Sequence, residues 1–363
     1  MELARRHLER IAAASRPAGS PAEAAARGYC AATLRELGFE VRDELFEFSA
    51  LPGRLGTPLC GVASMFLLAA AGHLGWRGFP VAALLLLIAG GATILGSGLW
   101  LARWGVLAIP WWRERATNLV ATRGEAQAES RVWLVAHLDS KSQPIPIAVR
   151  ALGIIASLAL WALALLTSAL QSTGAPLAGV WPLIAVAGVV AGIPVAASVV
   201  RARSPGALDN ASGVATVLLA AALLPSEHSI GILLTSGEEL GLAGARAWVG
   251  TNPAAIAINI DGVDDTGRLR VIHPRRRPDA LVGAVLRAAS EVKLGAACSR
   301  LPPGLLVDSV ALADGGWRVV TLSRGSLRTV LRIHTPRDNL TALRGTGVSE
   351  LAELLRRVLG ELG

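Results

Sequence analysis

Two adjacent carboxylates, Glu238 and Glu239, stand just beyond an apolar run, Ile230 to Leu234, and a Thr235-Ser236-Gly237 turn signal. The run reads as a buried strand, and a helix-like segment, Leu240 to Val249, follows the pair. Groups of the same chemical kind recur in comparable places. His137 and Asp139 follow the apolar run Arg131 to Ala136, Asp261 follows Ala254 to Ile260, and His334 follows Val330 to Ile333. Asp209 sits instead at a helix start, Asp209-Asn210-Ala211-Ser212-Gly213. Imidazole and carboxylate are the ligands that hard and borderline divalent metals take. His137 and Asp139 are two apart, so an extended backbone puts both on one face. Asp139 is then either a further ligand or the partner that fixes the imidazole tautomer.

Singly, each group has an ordinary explanation. Asp209-Asn210 can cap a helix, Asp261 can belong to a polar turn with Asp264 and Asp265, and His334 can be a turn residue before Thr335-Pro336. Their repetition at strand ends, the edge where α/β sheets collect ligands, points to a site.

The elements that must carry these groups alternate. Leu3 to Ala14 is a short amphipathic helix, a second helix starts at Ser20-Pro21 and stops at Gly38, and Phe39 to Phe48 reads as a strand. Ala116 to Thr122 and Arg131 to Ala136 are strand candidates on either side of a polar segment, Arg123 to Ser130. Beyond Arg201 come a helix (Val214 to Leu224), a strand (Leu269 to Ile272), a helix (Asp279 to Val292), a strand (Arg318 to Leu322) and a closing helix (Gly347 to Leu362). Such alternation predicts a wound α/β sheet.

The rest of the chain has a different solvent in mind. Hydrophobic residues make up 52% and charged ones only 17%, with a mean hydropathy of +0.49. Thr57 to Trp76, Gly78 to Ala102, Ala151 to Leu170 and Ala175 to Val200 contain no Asp, Glu, Lys or Arg. Each is about the 20 residues that a helix needs to cross hydrocarbon. Trp76, Trp100, Trp104, Trp111 and Trp112 gather at the proposed ends, as interfacial aromatics do. Pro182 and Pro194 are expected to kink the last span. The net charge of +8 comes almost wholly from Arg beside apolar segments, which suits a lipid bilayer and not nucleic acid. Cys30, Cys60 and Cys298 form no metal or redox motif, and the N-terminus lacks the apolar core of a signal peptide.

Five segments together resemble the co-catalytic zinc aminopeptidases of metallopeptidase family twenty-eight. They are Ala136-His-Leu-Asp-Ser140, Gly206-Ala-Leu-Asp-Asn-Ala-Ser-Gly213, Ser236-Gly-Glu-Glu-Leu-Gly241, Ile258-Asn-Ile-Asp261 and Ile333-His-Thr-Pro-Arg-Asp338. The resemblance implies a three-layer α/β/α domain with a mixed, mostly parallel sheet, here interrupted by two transmembrane hairpins. It implies two Zn²⁺ ions, though Mn²⁺ or Co²⁺ suit the same ligands. Asp209 would bridge them, His137 and Asp261 would complete one, and Glu239 and His334 the other. Asp139 would orient His137, and Glu238 would be the general base acting on a water between the ions. The implied substrate is a peptide, hydrolysed at its N-terminal residue. Alternatives are a carboxypeptidase-like or glutaminyl-cyclase-like enzyme on the same fold, or a membrane scaffold with a vestigial site. One departure is Asp308, which is followed by Ser309 where the family often has Asp-His.

These readings divide the chain into peptidase segments 1–54, 105–148 and 202–363, and hairpins 55–104 and 149–201. Both His137 and Asp209 must reach one centre, so the insert between them crosses the bilayer an even number of times. Arg54, Arg103, Arg113, Arg115, Lys141, Arg150, Arg201 and Arg203 flank the spans on the catalytic side, against Arg77 alone on the other. The positive-inside rule then places the catalytic domain in the cytoplasm, at the cell membrane.

Overall fold

The computed structural model describes residues 1–124 and 132–362. Arg131, the expected start of one strand, and residues 125–130 of the polar segment before it lie outside the described residues. The chain forms two compact units. One comprises Met1–Ser49, Leu107–Ser142 and Ala202–Gly363; the other comprises Ala50–Val106 and Gln143–Arg201.

The first elements are α1 (Glu2–Ile11), α2 (Pro21–Glu36), β1 (Glu40–Ser49), α3 (Leu51–Trp76), α4 (Pro80–Trp100) and the one-turn α5 (Val106–Ala108). Then come β2 (Arg113–Arg123), β3 (Val132–His137), α6 (Ile147–Ser172), α7 (Trp181–Ala196), α8 (Ser212–Leu223), β4 (Ile230–Thr235) and α9 (Ala243–Val249). The chain continues with β5 (Ile256–Val263), β6 (Arg268–His273), α10 (Asp279–Glu291), β7 (Ala296–Arg300) and α11 (Asp308–Asp314). It closes with β8 (Arg318–Gly325), α12 (Leu327–Arg332) and α13 (Thr346–Leu362).

In the first unit all eight strands join one sheet, ordered β1-β2-β4-β3-β5-β8-β6-β7. The central strands β4, β3, β5 and β8 run parallel. β2 pairs antiparallel with both β1 and β4, β6 pairs antiparallel with β8, and β7 runs parallel to β6. Alternate residues of the central strands face opposite cores, as the two-residue period requires. Leu134, Ile232, Ile258 and Val320 pack with Leu8, Leu34, Val217, Val285 and Leu355 from α1, α2, α8, α10 and α13. Trp133, Val135, Leu233, Ala257 and Val319 pack on the other face with Trp248 of α9, Leu312 of α11 and Trp317. The result is a mixed, mostly parallel α/β sheet covered on both sides. Trp133 and Trp317 flank Trp248 at ring-centroid distances of 4.8 and 5.0 Å. Truncating such a buried indole to Ala costs about 3–5 kcal/mol.

One expected element is different. Val330 to Ile333 is not a strand: α12 covers Leu327–Arg332 and His334 lies in the turn beyond it. A short apolar run does not distinguish strand from helix by itself. Here a reciprocal capping box between Ser326 and Thr329 starts a helix just before it. The sheet also gains β7, and a helix α11 opens at Asp308; neither has a clear apolar period in the sequence.

The second unit is built from α3, α4, α6 and α7. Among the described residues, four helices are long and apolar enough to cross a membrane: Leu51–Trp76, Pro80–Ala108, Ile147–Ser172 and Ala178–Ala196, with mean hydropathy between 1.6 and 2.1. Their outward residues are mostly apolar, among them Phe66, Leu85, Leu95, Leu158 and Leu183. Small residues let the backbones close in. A Cβ on Gly61 would lie 2.5 Å from the Ala196 nitrogen, and one on Gly75 would lie 2.1 Å from the Trp181 ring. Two indoles of this unit are paired: Trp161 Nε1 donates to Ser64 Oγ, and Trp181 Nε1 to Gln171 Oε1. Pro194 is inside α7, but Pro182 falls in the first turn, where its missing N–H disturbs no helical bond.

Candidate metal centre

The predicted groups converge at the carboxyl ends of the parallel strands. His137 is the last residue of β3, Glu238 and Glu239 follow β4 by a left-handed turn at Gly237, and Asp261 lies where the β5–β8 register shifts. Asp209 precedes α8, and His334 follows α12 with a φ of +60°. A non-glycine residue with such a φ is uncommon and needs its surroundings to hold it. Two groups of three result, His137 with Glu238 and Asp261, and Asp209 with Glu239 and His334, each with ligand atoms within 4.8 Å of one another. Asp209 joins them: its Oδ1 is 3.0 Å from His137 Nε2, and its Oδ2 is 3.0 Å from His334 Nε2. His137 Nε2 is also 3.7 Å from Asp261 Oδ1, and His334 Nε2 is 3.2 Å from Glu239 Oε1.

Backbone anchors set these positions. The Asp139 carboxylate accepts from the amides of Glu238 and Glu239, both at 3.1 Å, so it holds the acidic pair and is not spent as a free ligand. The Asp338 carboxylate accepts from the Leu208 and Asp209 amides at 2.6 and 3.2 Å. Asn210 donates to Ile260 O and accepts from Gly213 and Gly262, tying the Asp209 loop to the strand that bears Asp261. Asn118 accepts from Ser236 N and donates to Gly244 O, bracing the turn before Glu238. Gly206, at φ +60°, admits no side chain: a Cβ would lie 2.4 Å from Asp209 O and 2.5 Å from Ser140 Cβ.

Three groups that sequence reasoning did not assign stand close by. Lys141 Nζ is 2.5 Å from Glu239 Oε2. Its signal was available: it is one of only two lysines in the chain, two residues past Asp139. Arg16, 1% exposed, donates to Leu138 O, Ile11 O, Pro205 O and Gly206 O. Glu23 is fully buried and accepts from Gly19 N at 2.6 Å. Neither had a signal, because a charge in a loop or in the first turn of an N-terminal helix reads as solvated. Asp308 is buried at the start of α11 and accepts from Thr235 Oγ1 at 2.5 Å.

The electrostatics are those of crowded, buried carboxylates. Burial works against the His137 imidazolium, but Glu238 and the carboxylates of Asp139, Asp209 and Asp261 hold it well above its usual range. Burial also opposes ionisation of Asp209, yet the two imidazoles keep it well below the usual carboxylate range. Burial pushes Glu238 well up, helped by Glu239, Asp261 and Asp308 against His137. Glu239 goes the other way, down to about 2, because Lys141 and His334 outweigh its burial. Burial raises Asp308 and Asp338 to about 7.

The donor set fits a divalent ion. His137 Nδ1 lies 3.0 Å from the Asp139 carbonyl, which can only accept, so the ring proton belongs on Nδ1. Nε2 then presents a lone pair to carboxylate oxygens, and it makes no hydrogen bond there. Only a cation, a metal ion or a second proton, makes that arrangement favourable. Glu239 Oε1 and His334 Nδ1 are likewise buried without hydrogen bonds.

The sequence profile of peptidase family M28 matches residues 118–359, well over half of the chain. The chain belongs to peptidase family M28. This member is therefore a metallopeptidase, and its solved neighbours share the fold. It is similar to an aminopeptidase from Aneurinibacillus sp. strain AM-1, with 14% identity, 99% of this chain and 93% of that one covered, and a TM-score of 0.58. It is similar to the zinc aminopeptidase BSAP from Bacillus subtilis, with 16% identity, 99% and 94% covered, and a TM-score of 0.58. A glutaminyl cyclase from Porphyromonas gingivalis aligns with 14% identity, 99% and 97% covered, and a TM-score of 0.55. No curated protein matches the chain.

Proposed function

We propose that this M28 peptidase is a membrane-bound, zinc-dependent aminopeptidase with a two-ion centre. The observation that carries the reading is Asp209, whose two oxygens face His137 and His334 at 3.0 Å each. In the proposal Asp209 bridges, His137 and Asp261 hold one ion, and Glu239 and His334 hold the other. When bound, the ions would polarise the scissile carbonyl and acidify a water. Glu238, kept from solvent, would take the proton from the attacking water and return it to the leaving amine. Asp139 fixes Glu238 and Glu239 through their amides and His137 through its carbonyl. The aminopeptidase and zinc neighbours support the substrate class and the metal.

In the same proposal, segments 1–54, 105–148 and 202–363 make the peptidase domain, and 55–104 and 149–201 make two transmembrane hairpins. The four apolar helices support this. Two spans per hairpin return the chain to one side of the membrane, and the Arg excess near the spans puts that side in the cytoplasm.

The test is zinc per chain by elemental analysis of the detergent-purified protein, beside Asp209→Ala, with hydrolysis of an amino-acid anilide. About two zinc ions, lost in the variant, with anilide turnover supports the reading. One ion with cyclisation of N-terminal glutamine instead of hydrolysis favours the cyclase alternative. No ion after incubation with zinc removes the enzyme reading and leaves the scaffold.

A further inference from the structure

The two halves of the centre differ in one respect. Among the described residues, the Lys or Arg side chain paired with the carboxylates of Asp139, Asp209, Glu238, Glu239 and Asp261 is Lys141, and it pairs with Glu239. Its ammonium is held by a pinned loop, not by a wandering chain. On one side of it, Ser140 donates its amide to Arg16 O and accepts from Arg16 N at Oγ. On the other, Ser142 Oγ accepts from the Arg203 amide at 2.9 Å. The side chain is only 17% exposed. Both Glu239 oxygens are therefore addressed, Oε1 by His334 Nε2 and Oε2 by Lys141 Nζ. An ion entering the Asp209–Glu239–His334 group meets a fixed positive charge across one carboxylate. An ion entering the His137–Glu238–Asp261 group meets no such pair.

We propose that Lys141 is a built-in cation that makes the two metal positions unequal, weakening the ion held by Asp209, Glu239 and His334 and balancing Glu239 when only the other ion is bound. The proposal rests on the two-ion reading above. It also assigns a sign. Were Lys141 only an orienting donor to Glu239, its loss would weaken metal binding, as losses of such outer partners do by about 10–100-fold. As a competing charge, its loss tightens the binding. A unit charge facing a divalent ion at this range, even at an effective dielectric of about 20, is worth more than a tenfold change in affinity.

The experiment is a zinc titration of the full-length, metal-stripped protein in detergent, against a chromogenic chelator, for the wild type, Lys141→Met, Lys141→Gln and Lys141→Arg. The wild type should take up two ions in steps separated by at least about tenfold. In Lys141→Met the weaker step should tighten about tenfold or more, and by a larger factor than the tighter step. Lys141→Gln should repeat this if the Met variant is poorly folded, and Lys141→Arg should keep the steps apart. Two equal steps in the wild type, or a weaker step that stays put or loosens in both neutral variants, overturns the role of Lys141 and leaves the two-ion reading intact. Uptake of fewer than two ions by the wild type sinks both.

Discussion

Arg16 lies far in sequence from every predicted ligand, yet it joins the two loops that matter most. Its guanidinium donates at 2.8 Å to Leu138 O, beside His137 and Asp139, and at 3.1 Å to Gly206 O, at the head of the Asp209 loop. It donates also to Ile11 O at 3.0 Å and Pro205 O at 2.5 Å. Arg16→Met keeps the aliphatic volume and leaves these four carbonyls without the donor. At a net value of about 1–1.5 kcal/mol per bond, the gross loss is about 4–6 kcal/mol. Part returns, because the variant no longer buries a charge; burial already lowers the Arg16 pKa. The net cost is then about 3–5 kcal/mol. In a unit of this size that lowers the melting temperature by roughly 10 °C. Arg16→Lys keeps the charge but not the planar fork, and should recover less than half of the loss. The assay is Trp-fluorescence melting in detergent together with zinc uptake well below the midpoint, which should weaken with the loops. A melt within about 2 °C of the wild type, with unchanged uptake, would refute the reasoning.

Three further outcomes are expected. Glu238→Gln should keep its zinc and lose about 10²–10⁴ in kcat, since only the proton acceptor is gone; near-normal turnover would remove Glu238 from that role. Glu23 is pushed up to about 8 by burial, so the folded state keeps a proton that the unfolded chain loses from about pH 4.5 upward. Its contribution is full at low pH and falls as pH rises through that window, by at most about 4–5 kcal/mol. Glu23→Gln should therefore gain melting temperature relative to the wild type from pH 5 to 8, and a pH-independent difference would contradict the burial argument. A tag fused after Gly363 should resist external protease in intact cells, and its cleavage would reverse the proposed orientation.

The reactive groups were legible because each strand-end residue differs in kind from the apolar run before it. His137 after Val135-Ala136, and Glu238–Glu239 after Leu233-Leu234, interrupt a pattern that burial would otherwise continue. The four long apolar helices were legible for the opposite reason, since nothing charged interrupts the runs that form them. What stayed hidden depends on tertiary neighbours. Arg16 sits in the loop between α1 and α2, Glu23 sits in the first turn of α2, and only the fold shows that they point inward. The segment before His334 was misread because Val330 to Ile333 carries the composition of a strand, while the capping pair that makes it helical lies upstream at Ser326 and Thr329. Asp338 belongs to a recognised segment, but its work on the Leu208 and Asp209 amides spans more than a hundred residues.

The same contacts explain how residues 143–201 can be inserted between His137 and Asp209 without loosening either. Closing a long loop costs entropy that grows only slowly with its length, so the length itself is a modest burden. The sharper demand is that the two ends of the insertion leave and re-enter at fixed positions, because the ligands are only a few residues away. Hydrogen bonds within the first unit meet it. Ser142 accepts from Arg203 N, Ser140 Oγ donates to Ser204 O, and Arg16 spans Leu138, Pro205 and Gly206. These bonds join the outgoing segment, 138–142, to the incoming one, 203–206, within the first unit. The geometry of the centre is thus set by a few residues on each side of the insertion. Lys141 lies inside that seam, where the chain fixes its backbone on both sides and so fixes the charge it presents to Glu239.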